Sequence, residues 1–210
     1  MTVKLRDYGF LDWSGDSGFK FALGSSIYLA FCLVSSQDYG TLRRGLLSLR
    51  GQLGLPGVFE FHFAETSIAV RAAFFATLLH LPWNAVVLLV DKRELPAEFK
   101  KMQDTVLYGH FISYLVADAP LSVVQVKRLL VDESCKQTQL LRGMRVAMSP
   151  VLRARGIQQT PKVRGEPAQR WDGLQLADML AGAVVARETS GRNYLQGLRK
   201  LRVYRYEVQE

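Results

Sequence analysis

The sequence predicts an α/β domain in which a mixed central β-sheet is flanked by α-helices. Two observations carry this prediction. The chain opens with strand-like runs on either side of a glycine-rich turn, and it continues with apolar runs of strand length alternating with segments of helical spacing. The size is a third guide: 210 residues at 49% hydrophobic content are enough for one substantial core and short for two.

The opening run Tyr8-Gly9-Phe10-Leu11 leads through Asp12-Trp13 into Ser14-Gly15-Asp16-Ser17-Gly18, and strand-like composition resumes at Phe19. That reads as a hairpin with a five-residue connection. Alternation puts Tyr8, Phe10, Asp12 and Ser14 on one face, so a carboxylate shares a face with core residues near the sheet edge. Phe19 to Val34 then reads as one long strand, or two joined near Gly24-Ser25-Ser26. Asp38 to Leu53 has helical spacing in Leu42, Leu46, Leu49 and Leu53, with Arg43, Arg44 and Arg50 off that stripe. The short alternating run Val58 to Phe63 turns Glu60 and His62 one way and its phenylalanines the other.

Thr66 or Ser67 caps a helix to about Leu81, and Pro82 separates it from the strand Ala85 to Val90, which ends at Asp91-Lys92. A helix over roughly Phe99 to Ala117 precedes the strand Val126 to Val131, which ends at Asp132, and a helix over about Gln137 to Arg155 follows. The strands ending at Asp91 and Asp132 are expected at the centre of the sheet. The proline-containing basic segment Ile157 to Arg170 is expected as a loop or irregular ribbon, and Trp171 to Glu188 as a strongly apolar helix. Residues 1–210 are thus expected to form a single domain with a basic C-terminal tail that includes Arg192, Arg199, Lys200, Arg202 and Arg205.

A formal net charge of +8 attracts acidic partners, with nucleic acid, DNA or RNA, the first candidate. Cys32 and Cys135 lie far apart with no C-x-x-C spacing, so neither a disulfide framework nor a zinc site is indicated, which suits a reducing cytoplasm. No secretory signal is read at the N-terminus. The uncharged stretch Ala72 to Val90 is divided by Pro82, so no membrane partner is expected. Association with a second copy is left open.

Asp178 is the most informative single residue. It is the only charged residue between Asp172 and Arg187, on a helix whose Ala177, Ala181, Gly182 and Ala183 allow close approach to a sheet. A desolvated carboxylate there has to be protonated, paired or metal-bound. Its bland alternative is a structural aspartate held by an arginine or by loop N–H groups. Asp12, Glu60, Asp91 and Asp132 sit at or near strand ends, where sites of open α/β sheets form. Carboxylates converging on one point repel unless a divalent cation neutralises them, and Mg²⁺ or Mn²⁺ suits such oxygen donors.

These stretches, Leu11 to Asp16, Phe59 to Phe63, Val90-Asp91-Lys92, Val131 to Ser134 and Leu174 to Gly182, resemble the domain-of-unknown-function 3800 family over nearly the whole chain. The Gln175-Leu176-Ala177-Asp178 element is the most specific match. The resemblance implies a ribonuclease H-like fold and a metal-dependent nuclease or its descendant. The family's opening motif is usually Asp-Glu-Ser-Gly, and Trp13 stands here in place of the glutamate. Carried onto this chain, Asp12, Glu60, Asp132 and Asp178 resemble the metal-binding and catalytic acids, with Asp91 an alternative to Asp132. His62 is a candidate to orient a water or leaving group. Lys92, Lys136, Arg153, Arg155, Lys162, Arg164 and Arg170 are candidate phosphate contacts, with solvated surface charge the bland alternative.

The resulting expectation is a Mg²⁺- or Mn²⁺-dependent nuclease or phosphodiesterase acting on nucleic acid. The rivals are a catalytically inactive nucleic-acid-binding or assembly module on the same fold, and a metal phosphatase for small molecules.

Overall fold

The computed structural model describes residues 5–132 and 138–208. Among them, six strands form one sheet: β1 (Arg6–Ser14), β2 (Tyr28–Ser35), β3 (Asn84–Asp91), β4 (Val126–Asp132), β5 (Lys162–Glu166) and β6 (Leu201–Arg205). Their order is β5-β4-β1-β2-β3-β6, and every strand except β2 runs in one direction. The opening hairpin therefore occupies the centre, and the strands ending at Asp91 and Asp132 flank it. Burial on both faces explains the near-continuous apolar composition of β2.

The helices are α1 (Tyr39–Gln52), α2 (Ile68–Leu78), α3 (Asp104–Asp118), the short α4 (Leu121–Val124), α5 (Thr138–Ala154) and α6 (Asp172–Ser190). Asp38 starts α1 by accepting from Thr41 N at 2.9 Å, and Ser67 starts α2 by accepting from Val70 N at 3.3 Å. α1, α2 and α6 pack on the face that carries Phe10, Ala30, Cys32 and Val34. α3 and α5 pack on the opposite face, against Leu11, Leu29, Phe31 and Val131. Successive residues of β1 thus enter different cores, as strand alternation requires.

Three expectations are corrected. The hairpin connection is longer than expected, running over residues 15–27 with a 3₁₀ turn at Phe21–Leu23. Lys92 is the physical reason. Its Nζ donates to Asp16 O at 2.7 Å and Gly18 O at 2.6 Å, and lies 5.7 Å and 5.6 Å from the Phe19 and Phe21 ring centroids. Those residues therefore fold around a buried cation and do not extend the sheet. Secondly, the segment expected as a loop contains β5. Thirdly, the basic tail contains β6. Both are parallel edge strands with exposed arginine or lysine side chains, so their sequences lack the apolar signature of β3.

α6 lies unusually close to the elements beneath it. A Cβ on Gly173 would stand 2.3 Å from Phe10 Cδ2, and one on Gly182 would stand 2.3 Å from Phe63 Cγ. Only glycine permits that approach. No helix among the described residues is long and apolar enough to cross a membrane.

Candidate functional site

β1 and β4 are parallel, with Leu11 opposite Val131, so Asp12 and Asp132 leave adjacent strands at the same level. Neighbouring strands are about 4.8 Å apart, which puts the two carboxylates abreast. Asp12 lies on the α6 face because Phe10, two residues earlier, packs there. α6 brings Asp178 over the strand ends, and residues 59–63 bring Glu60 and His62 from the other side. These five side chains line a cleft of about 120 Å³ together with Trp13, Phe61, Ala168 and Gln175.

Glu60 and His62 are not on a strand, contrary to expectation; their segment is irregular and is held by side chains instead of a ladder. Gln175 Oε1 accepts from Phe61 N at 3.0 Å, and Gln175 Nε2 donates to Ala168 O at 2.9 Å. Asp178, one turn along the same helix face, accepts from Phe63 N through Oδ2 at 2.6 Å. The helix thus grips alternate backbone positions of this segment and aims Glu60 and His62 at the cleft.

Arg50 locks this grip from behind. Its Nε donates to Phe59 O at 2.7 Å, and its Nη2 donates to Asp172 Oδ1 at 2.6 Å and to Gln175 Oε1 at 2.8 Å. The guanidinium sits 4.7 Å from the Phe61 ring centroid. Sequence reasoning placed Arg50 on a surface face, yet it is only 4% exposed. Nothing in the periodicity of α1 marks it, since its partner Asp172 is 122 residues away.

Burial pushes the Asp12 carboxyl well up, and the charges of Asp178, Asp132 and Glu60 push it further, against a 2.8 Å hydrogen bond from Trp13 N. Asp178 is raised by burial and by Asp132, partly offset by the Phe63 N–H and by His62. Glu60 is raised by burial and then by Asp132. His62 Nε2 is 4.0 Å from Asp178 Oδ1. Among the described residues, no lysine or arginine lines the cleft.

Asp91 stands apart from this group. Asp12 pairs with Cys32 and Cys32 with Val87, so Asp91 is four residues, or about 13 Å, beyond the level of Asp12, on the strand after next. Arg93 forms an ion pair with it and holds its carboxyl below the usual range. The register therefore brings Asp132, and not Asp91, beside Asp12. Lys92, proposed as a phosphate contact, is fully buried and committed to the 15–27 loop. Arg153 and Arg155 lie at the far end of the sheet, because α5 runs back from the Asp132 end of β4 to the start of β5. Arg155 also donates to Val116 O. Arg164 and Arg170 are exposed near the cleft side, on β5 and just after it. Lys136 lies outside the described residues. Trp13, the departure from the family motif, turns its ring to the opposite face, 5.1 Å from Tyr108, and gives the site only its N–H.

The donor set suits a hard divalent cation: Asp12, Asp132, Asp178 and Glu60 offer oxygens in a partly desolvated, mutually repelling group. Among the described residues these groups are not drawn into a closed cage of three or more ligands. Asp178 is also the structural aspartate of the bland alternative, since one of its oxygens caps the 59–63 segment.

No family model matches the sequence, and no curated protein does. Among solved structures the chain is similar to the ribonuclease HII of Archaeoglobus fulgidus, determined in complex with PCNA. The TM-score is 0.56 at 13% identity, over 86% of this chain and 72% of that one, which shows a shared fold.

Proposed function

We propose that this protein is a divalent-metal-dependent nuclease or phosphodiesterase of ribonuclease H-like fold, and that it belongs with the domain-of-unknown-function 3800 family. One observation carries the proposal: Asp12 and Asp132 stand abreast on parallel strands, with Asp178 and Glu60 facing the same cleft and, among the described residues, no lysine or arginine lining it. The fold likeness to a ribonuclease HII supports it. Asp12, Asp132, Asp178 and Glu60 would hold Mg²⁺ or Mn²⁺, which when bound supplies charge neutralisation and acidifies water. The protein's own contribution is positional. Gln175 and Arg50 fix the segment that carries Glu60, and His62, beside Asp178, orients a water or the leaving oxygen.

The second reading, an inactive nucleic-acid-binding module, draws on the hydrogen bond that Asp178 accepts from Phe63 N. A cleavage assay separates the two. Labelled single-stranded and duplex DNA, RNA and hybrid are incubated with the parent, Asp12→Asn and Asp178→Asn in Mg²⁺ and in Mn²⁺. The nuclease reading expects cleavage by the parent and loss of about 100-fold or more in each variant. Binding without cleavage of any substrate in either metal would leave the module reading in front.

A further inference from the structure

Among the described residues, no helix lies over the β4–β5 end of the sheet face beneath α6. α6 covers β1, β2 and β3 and only grazes β4. α5 packs on β5 from the opposite side, where Val163 meets the second core. The open half has a defined register: Tyr8 pairs with Arg128 and Arg128 with Lys162, one step on Leu130 pairs with Arg164, and the next step is Asp132 with Glu166. Partners in parallel register share a face, so Arg128, Lys162 and Arg164 all project from this face, and all three are exposed. The step between alternate residues is about 6.6 Å, so the Arg128–Lys162 level lies about 13 Å from the carboxylates and Arg164 about half that.

Aromatic rings border the basic rows. Arg128 is positioned by Tyr8, donating to its Oη at 3.2 Å with the guanidinium 5.6 Å from the ring centroid. Trp171 is half-buried, 5.0 Å from Tyr8 and 5.8 Å from Tyr39 between ring centroids. Glu166 is the acid at the cleft end, within 3.4 Å of Trp171 Nε1.

We propose that this face is a track on which a single-stranded polynucleotide lies, its phosphates on Arg128, Lys162 and Arg164 and its bases against Tyr8 and Trp171, leading to the carboxylate cleft. A basic groove lined by aromatic rings is the chemistry of sequence-tolerant single-strand binding, because rings can stack only on unpaired bases. The proposal rests on the nucleic-acid reading above but not on catalysis.

The test is therefore run in EDTA, with the full chain and short fluorescein-labelled oligothymidylate and oligouridylate. Combined Arg128→Glu, Lys162→Glu and Arg164→Glu weakens binding at least about tenfold and lowers the salt slope by about 2, three phosphate contacts at roughly 0.7 each. Combined Arg142→Glu, Arg145→Glu and Arg153→Glu on α5, an equal charge change away from this face, leaves affinity within about twofold. Strand binding quenches tryptophan fluorescence in the parent but not in Trp171→Phe. Binding of either oligomer through these side chains supports the track, and the tighter one identifies the polymer. A track variant that melts like the parent and binds like it overturns the proposal. So do an equal loss in the α5 control and tighter binding of a duplex of the same length. If the track binds while the parent cleaves nothing in Mg²⁺ or Mn²⁺, the nuclease reading alone fails. If the parent cleaves while its affinity ignores these residues, the track alone fails.

Discussion

Replacing Arg50 by methionine isolates the contribution of the buried lock behind the site. In the parent, Arg50 is 4% and Asp172 8% exposed, and one guanidinium serves Phe59 O, Asp172 and Gln175. Methionine fills much of the space but strands the Asp172 carboxylate, a loss of about 3–5 kcal/mol for a broken buried pair. For a domain of this size each kcal/mol is worth about 2–4 °C, so the melting temperature should fall by about 6–20 °C. Removing both charges, as Arg50→Met with Asp172→Leu, should recover much of the loss, because the stranded charge and not the missing pair dominates the cost. Urea denaturation of the four proteins of the cycle measures the coupling, which should exceed about 1 kcal/mol. Hydrogen exchange at Phe61 should speed up in Arg50→Met, since Gln175 Oε1, which accepts from Phe61 N, loses the hydrogen bond that Arg50 donates to it. Stability of Arg50→Met within about 1 kcal/mol of the parent, or strictly additive losses, would refute the reasoning.

Two further outcomes test the carboxylates. Asp12 is raised by burial and by Asp178, so the folded state holds its proton more tightly than the unfolded chain does. Its contribution is fully present below the unfolded carboxylate value of about 3.9 and is lost as pH rises through the raised folded value. In EDTA, the stability advantage of Asp12→Asn over the parent should therefore grow with pH across that window; urea titrations at several pH values check this, and a gap that shrinks would contradict it. Added Mg²⁺ or Mn²⁺ at 100 times its dissociation constant should stabilise the parent by about 2.7 kcal/mol, or about 5–11 °C, and Asp12→Asn should lose the rise. A metal-independent parent together with a strongly destabilised Asp178→Asn would assign Asp178 a capping role only.

Features written in local periodicity were legible. The α1 stripe, the Ser67 cap, the apolar β3 and the one acid within the apolar stretch of α6 are each produced by residues within one or two turns of one another. The facing of Asp12 was equally local, because Phe10 two residues away fixes it. β5 and β6 were not legible. An edge strand with one open face needs no apolar alternation, and its identity comes from the neighbour it pairs with. Lys92 and Arg50 misled for a related reason: a basic side chain looks solvated until the carbonyls and carboxylates that bury it arrive from residues 16–18 and from 59, 172 and 175.

The sequence by itself determined that acids stand at the ends of apolar strands and that one more is embedded in an apolar helix, because side-chain direction follows from local geometry. Only the tertiary structure decided which of them meet. Asp91 and Asp132 end similar strands, but the parallel β1–β4 register puts Asp132 beside Asp12, while Asp91 lies two strands away beside Arg93. Register is set by long-range pairing, and the place of Asp178 by the close approach that Gly173 and Gly182 allow α6; neither leaves a trace in the residues adjacent to the strand-end acids.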